Sequence, residues 1–462
     1  MRRPLPLVAA SIVLAVLAGC SALGADADPV TRWASPTGGG DCTEDSPCDI
    51  RTAVARSAPG STVRLLAGDY GDVELTASGG GPEQAASIVV EAADPDAPPS
   101  FSRLRVGAPS LLWRDIRVTG PWFLDRGAEG TRLEAVHLDG GGLFVRTTGA
   151  EVVDSLFENG SSIDGIQIGG ASDVLIEGNV IRDYDQSGSS GLHADCIQVF
   201  DSSAVTLRAN SLANCYNAGI ILSPGEGRGI AGIVIESNFI QGCVVPSTRC
   251  VGGSAVDLRE SRTTGLVVRN NTILNGSTRL RSAAGDIVDR NIIGYLSDCT
   301  ARATNSVVIG WNGRQCAAPA MIGVDGNVIG SPSFVDQAAG DLHLTDHATA
   351  ALSPAPGTSP ASTDRDGDVV DPAVAGADSP PGGTPPAPSA PPSTPGAPPS
   401  PGPTEPVVGS PALPSALAEL CARQAEMPSL TPAQRVLVRQ LVARLDTDQR
   451  ALLAAAGCVI PA

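Results

Sequence analysis

Lysine is absent from this 462-residue chain, and all 31 of its basic residues are arginine. That excludes every mechanism built on a lysine amine, including Schiff bases, P-loop phosphate binding and lysine proton abstraction. Aromatic residues make up only 3% of the chain, so a core must come from Val, Ile, Leu and Ala. Such a core suits thin, regular layers. A formal net charge of −18 argues against a nucleic-acid partner, because phosphate binding needs clustered positive charge. Histidine occurs four times, and no Cys/Cys or Cys/His spacing suggests zinc.

The first residues read as an export signal. A basic "MRR" precedes the apolar run "LPLVAASIVLAVLA", which is too short to span a membrane. It ends in "LAGC", which resembles the bacterial lipobox, in which the cysteine is acylated and becomes the mature N-terminus. The reading is a lipoprotein signal over 1–19, lipidation at Cys20, and a tether over 20–30. The protein is then exported and held at the cell surface by a lipid anchor. Removing Cys20 leaves ten cysteines, an even number that fits an oxidising compartment. Local pairing suggests Cys42 with Cys48, Cys196 with Cys215, Cys243 with Cys250, Cys299 with Cys316 and Cys421 with Cys458.

A repeat runs through the middle. Six segments, from "VLIEGNVI" to "IGVDGNVI", read apolar, any, apolar, polar, any, Asn, any, apolar. Their asparagines are Asn179, Asn210, Asn238, Asn271, Asn291 and Asn327, with Asn312 a further candidate. The internal period of two marks strands with one buried face. One short strand cannot bury that face alone, so successive coils must stack into parallel sheets. Asparagines at one turn position then form an amide ladder. The polar position before the turn alternates as Glu177, Arg208, Glu236, Arg269, which sets opposite charges on neighbouring strands.

At these residues the chain resembles the right-handed parallel β-helices of the pectin-lyase-like superfamily. "CDIRTAVARSAPGSTVRLLAGDYGDVEL" is similar to their entry, a short capping helix before the first strand, and "GNVIGSPSFVDQAAGDLHLTDHATAALSPAPGT" to their last coils. The resemblance implies an all-β solenoid over 31–378. "DRDGDV", with Asp364, Asp366 and Asp368, reads as part of the last coil, with its glycine misplaced for an EF-hand. A Pro-rich linker follows over 379–411, then a small α-helical unit over 412–462.

The chemistry concentrates in two coils. Asp164 to Asp195, Gln167 to Gln198 and Asn179 to Asn210 are each 31 residues apart, so the "D-x-I-Q" units stack. Ala218 and Ile221, then Ser254 and Asp257, occupy the same positions in the next coils. His193 lies just before the second unit. Two close carboxylates share a proton or bind a cation, and Ca²⁺ is the cation this leaves open. Candidate catalytic residues are His193, Asp195 and Asp164, with His193 as acid or base. Gln167, Gln198, Asp257 and Arg259 are candidate substrate contacts, Arg259 for a substrate carboxylate. His137, His343 and His347 read as structural. "IDGIQ" and "ADCIQ" resemble segments of polygalacturonase-like hydrolases, which implies catalytic roles for Asp164 and Asp195. Ala194 and "NAG" at Asn217–Gly219 depart from that pattern.

Two functions follow as expectations. One is a monomeric enzyme that cleaves or epimerises an acidic polysaccharide, as lyase, epimerase or glycoside hydrolase. The other is a non-catalytic protein of the cell envelope that binds glycans or acts as a spacer.

Overall fold

The computed structural model describes residues 29–380, apart from 77–86, 187–192, 245–249, 251–252, 261, 281–284, 300–301, 315–324 and 354–358. The expected lipobox, the helical unit and the Pro-rich linker beyond residue 380 lie outside the described residues. So do the expected pairings Cys299–Cys316 and Cys421–Cys458. Ser379, expected to open that linker, is instead buried in the tail.

Thr31–Ala34 opens a first sheet, and a short helix, Ile50–Ala55, caps the stack. Asp49 caps that helix by accepting from the Thr52 backbone N–H. Coil after coil then contributes one strand to each of three parallel sheets of thirteen, eleven and ten strands. The first sheet runs to Ala303–Thr304, the second from Ser100–Phe101 to Val328–Ile329, and the third from Asp72–Thr76 to Leu296–Cys299. This is an all-β parallel β-helix.

The core follows from strand alternation. Inward Val, Ile and Leu form one continuous cluster along the axis. Three of its aromatics meet toward its N-terminal end. There Trp113 packs edge-on against both Phe101 and Trp122, with ring centroids 6.2 and 5.5 Å apart.

The asparagine ladder turns the chain between the first and second sheets. The residue before each rung is left-handed, including Ala209 (φ 54°) and Ser237 (φ 57°). Each rung ties that bend to the next coil. Asn210 Oδ1 accepts from both the backbone N–H and the amide of Asn179, at 3.0 Å each. Asn238, Asn271 and Asn291 continue the same pattern. Ser155 and Ser306 extend the column, with Ser306 leading to Asn327. Asn312 is not a rung. The ladder position in its coil is Ser306, two residues past Thr304, and Asn312 instead accepts from the Arg314 backbone.

Register matches the charge alternation. Glu177 pairs with Arg208, and Glu236 with Arg269, the latter at 2.8 Å. The "DRDGDV" segment is not a further coil. Its Asp364 carboxylate accepts three backbone N–H groups, from Asp366, Asp368 and Ser379. The surrounding tail crosses earlier coils as a strap, bonding Ser211, Ser237, Asn270 and Thr272.

Cys42–Cys48, Cys196–Cys215 and Cys243–Cys250 are bonded. Cys196–Cys215 joins the third sheet to the second across a separation of 19 residues. Removing it as Cys196→Ser with Cys215→Ser is expected to cost about 2–4 kcal/mol. Guanidinium unfolding measures this, and an unchanged midpoint would contradict it.

Candidate functional site

Asp164 precedes the strand Ile166–Gly169, and Asp195 opens the strand Asp195–Phe200. Ile166 pairs with Ile197 and Gln167 with Gln198, so the two aspartates fall one coil apart. Gly165 makes this approach possible. A Cβ there would lie 2.7 Å from the Cys196 carbonyl oxygen and 2.6 Å from Ile181.

His193 closes over both carboxylates. Its Nδ1 lies 3.1 Å from Asp164 Oδ1 and 2.9 Å from Asp195 Oδ2. The imidazole is 40% exposed, while the side chains of Asp164 and Asp195 are 2% and 0% exposed. Water therefore reaches the ring but not the acids beneath it. Nδ1 carries a single proton toward two acceptors, so Asp195 Oδ2 has no hydrogen bond of its own when that proton points at Asp164.

Other groups anchor the acids. Asp164 Oδ1 accepts the Asp195 backbone N–H at 2.9 Å, and its Oδ2 accepts from Gln167 at 2.8 Å. Asn217 donates to Asp195 Oδ1 at 2.7 Å. Gln167 also donates to Gln198 at 2.9 Å, and Gln198 to Ser223 at 3.2 Å. Arg146 bonds the Gln167 side chain.

Charge follows from this geometry. Hydrogen bonds to Asp164 and then Asp195 push the His193 imidazole up to about 10, against the opposing effect of burial. Burial, reinforced by the charge of Asp164, raises Asp195. His193 is thus an imidazolium at neutral pH. It suits proton donation or anion binding better than proton abstraction.

The same donors bear on Ca²⁺, which takes six to eight oxygen ligands. Here Asp164 already accepts three protein donors, Asp195 is buried, and the imidazole occupies the space between them. The cluster does not suit that ion.

The structure brings together Asp164, Asp195, His193, Gln167 and Gln198. Asp257 and Arg259 lie on the same sheet, beyond Ile221. Asp257 is buried and paired with Arg259 and also with Arg279, the latter at 3.2 Å. His137, His343 and His347 sit apart from the cluster. They face Glu158, Asp366 and Asp378 at 3.1, 2.7 and 3.1 Å.

Sequence reasoning missed Asn217 and Arg146, and it missed two outward rings, Phe123 and Phe144. These rings stack at 4.9 Å with an interplanar angle of 13°. Their signal was present in "WFL" and "LFV", where a Phe between two inward apolar residues must face out.

No curated protein matches the chain. Among solved structures, pectate lyase Pel9A aligns at 12% identity over 76% of this chain and 89% of its own, with a TM-score of 0.44. The Dettilon tailspike protein aligns at 12% over 62% and 56%, with a TM-score of 0.39. The A-module of an Azotobacter vinelandii mannuronan C-5 epimerase aligns at 15% over 62% and 95%, with a TM-score of 0.28. Residues 126–308 match the family model described as the right handed beta helix region, in keeping with the three stacked parallel sheets.

Proposed function

We propose that the protein acts on an acidic polysaccharide laid along the outer face of the third sheet, with His193 as proton donor. The observation that carries this is the His193 imidazole, exposed on one side and gripped at Nδ1 by two buried aspartates on the other. Held protonated, the ring has Nε2 as its second N–H donor. From there it can donate to a uronate carboxylate or to a glycosidic oxygen.

The face itself favours a linear anion. It is ten strands long, roughly 40 Å at the usual strand spacing. In a chain of net charge −18, this face collects His193, Arg146, Arg259 and Arg279. Acids share the face: Asp257 is held by two arginines, and Glu74 and Asp298 lie across from Arg105 and Arg279. Asp164 and Asp195 are positioning residues in this reading. Lyase, epimerase and hydrolase chemistry all use such a donor. The lipobox at Leu17–Cys20 supports an exported, lipid-anchored location.

Burial of both carboxylates favours a second reading, glycan binding without turnover. A panel of uronate polymers separates the two, with wild type beside His193→Ala. Release of unsaturated ends, reducing ends or epimerised residues by wild type, reduced at least about a hundredfold in the variant, supports the enzyme. Binding by both proteins with no product from either supports the second reading.

A further inference from the structure

The outward column of the third sheet changes character on one side of His193. From Gln167 toward the N-terminal coils it reads Phe144, Phe123 and Arg105, each paired with the next across one strand spacing. In the adjacent column Phe200 lies across Gly169, where a Cβ would sit 2.2 Å from its ring. A glycine is what lets that ring lie flat on the sheet.

Arginines cover these rings. The Arg146 guanidinium is 5.7 Å from the Phe144 centroid and 5.5 Å from that of Phe200. Arg103 and Arg105 lie 5.2 and 4.6 Å from that of Phe123. Arg105 has Asp125 as a partner. Arg146 and Arg103 have no carboxylate within ion-pair distance among the described residues. Arg146 instead meets two backbone carbonyls and the Gln167 side chain. Rings and arginines together form a surface of alternating apolar face and positive charge, joined to Asp164 through Gln167.

We infer that Phe123, Phe144, Phe200 and Arg146, with Arg103, form a subsite for a uronate-bearing polysaccharide, its sugar faces stacking on the rings and its carboxylates pairing with the arginines. This rests on the proposed function and adds where the polymer lies relative to His193. Aromatic faces bind the C–H faces of pyranose rings, and a guanidinium beside a ring meets a carboxylate without leaving the stack.

The test is titration calorimetry with oligogalacturonate and oligomannuronate, and with a neutral β-glucan oligosaccharide as comparison. Phe144→Ala and Arg146→Met are each expected to weaken uronate binding about tenfold or more. Phe144→Tyr should keep it, which separates loss of the ring from loss of fold. Arg146→Met should also lose any preference for uronate over the neutral sugar. Uronate affinity within about twofold of wild type in both variants, with unchanged melting, would overturn the subsite. If those variants bind normally while turnover still depends on His193, the subsite fails and the proposed function stands. If neither uronate probe binds wild type, both fail.

Discussion

Asn238→Ala is expected to lower the stability of the β-helix by about 4 kcal/mol, read as a fall in the chemical unfolding midpoint. Asn238 is fully buried and works in both directions along the stack. Its Oδ1 accepts the Asn210 backbone N–H at 2.9 Å and the Asn210 amide at 3.0 Å. Its own amide donates to Leu207 O, Glu236 O and Asn271 Oδ1, each at 2.9 Å. Alanine leaves the Asn210 backbone N–H without its acceptor, and removes one partner each from the Asn210 amide and Leu207 O, in a dry core, at about 1–3 kcal/mol for each unsatisfied group. It also frees the left-handed bend at Ser237, which the rung holds. Asn312→Ala, outside the ladder, should change stability by less than about 1 kcal/mol. Equal effects at the two positions would refute the ladder as the source of stability.

Asp164→Asn is expected to bring the His193 ionisation down by roughly one to three units, because Asp164 is the largest cause of its rise. Asparagine keeps the shape and the acceptor but removes the charge. At about pH 9.5 the imidazolium would then become a minority species while it remains the majority in wild type, and turnover of a uronate polymer should fall about threefold or more. At pH 5 the variant should recover most of that loss. Stability has the same sign. The folded-state value of about 10 lies above the ordinary 6.5, so the His193 contribution is complete below about pH 6.5. It is lost as pH rises through about 10. An Asp164→Asn protein whose His193 titrates where wild type does would contradict the arrangement.

Much of this was legible in the sequence because a solenoid repeats its constraints. Equal 31-residue spacings put Asp195 over Asp164 and Gln198 over Gln167, and the register agrees. The pairing Cys196–Cys215 followed from local counting. What was hidden depends on side-chain direction and on breaks in the repeat. Spacing stacks two aspartates but does not say that an imidazole will cover them, since His193 lies before the strand and has no counterpart one coil earlier. Ser306 replaces asparagine in the ladder while making the same backbone contacts, so a pattern keyed to Asn passed over it and reached Asn312. The tail around Asp364 left the repeat altogether, and only tertiary bonds to Ser211, Ser237, Asn270 and Thr272 reveal its path.

The central claim is that two buried aspartates hold His193 as an exposed imidazolium. Proton NMR titration of the His193 ring resonances in the wild-type protein tests it most directly. The account predicts that the ring stays protonated through pH 8 and titrates near 10. A midpoint near the ordinary histidine value of about 6.5 would contradict it.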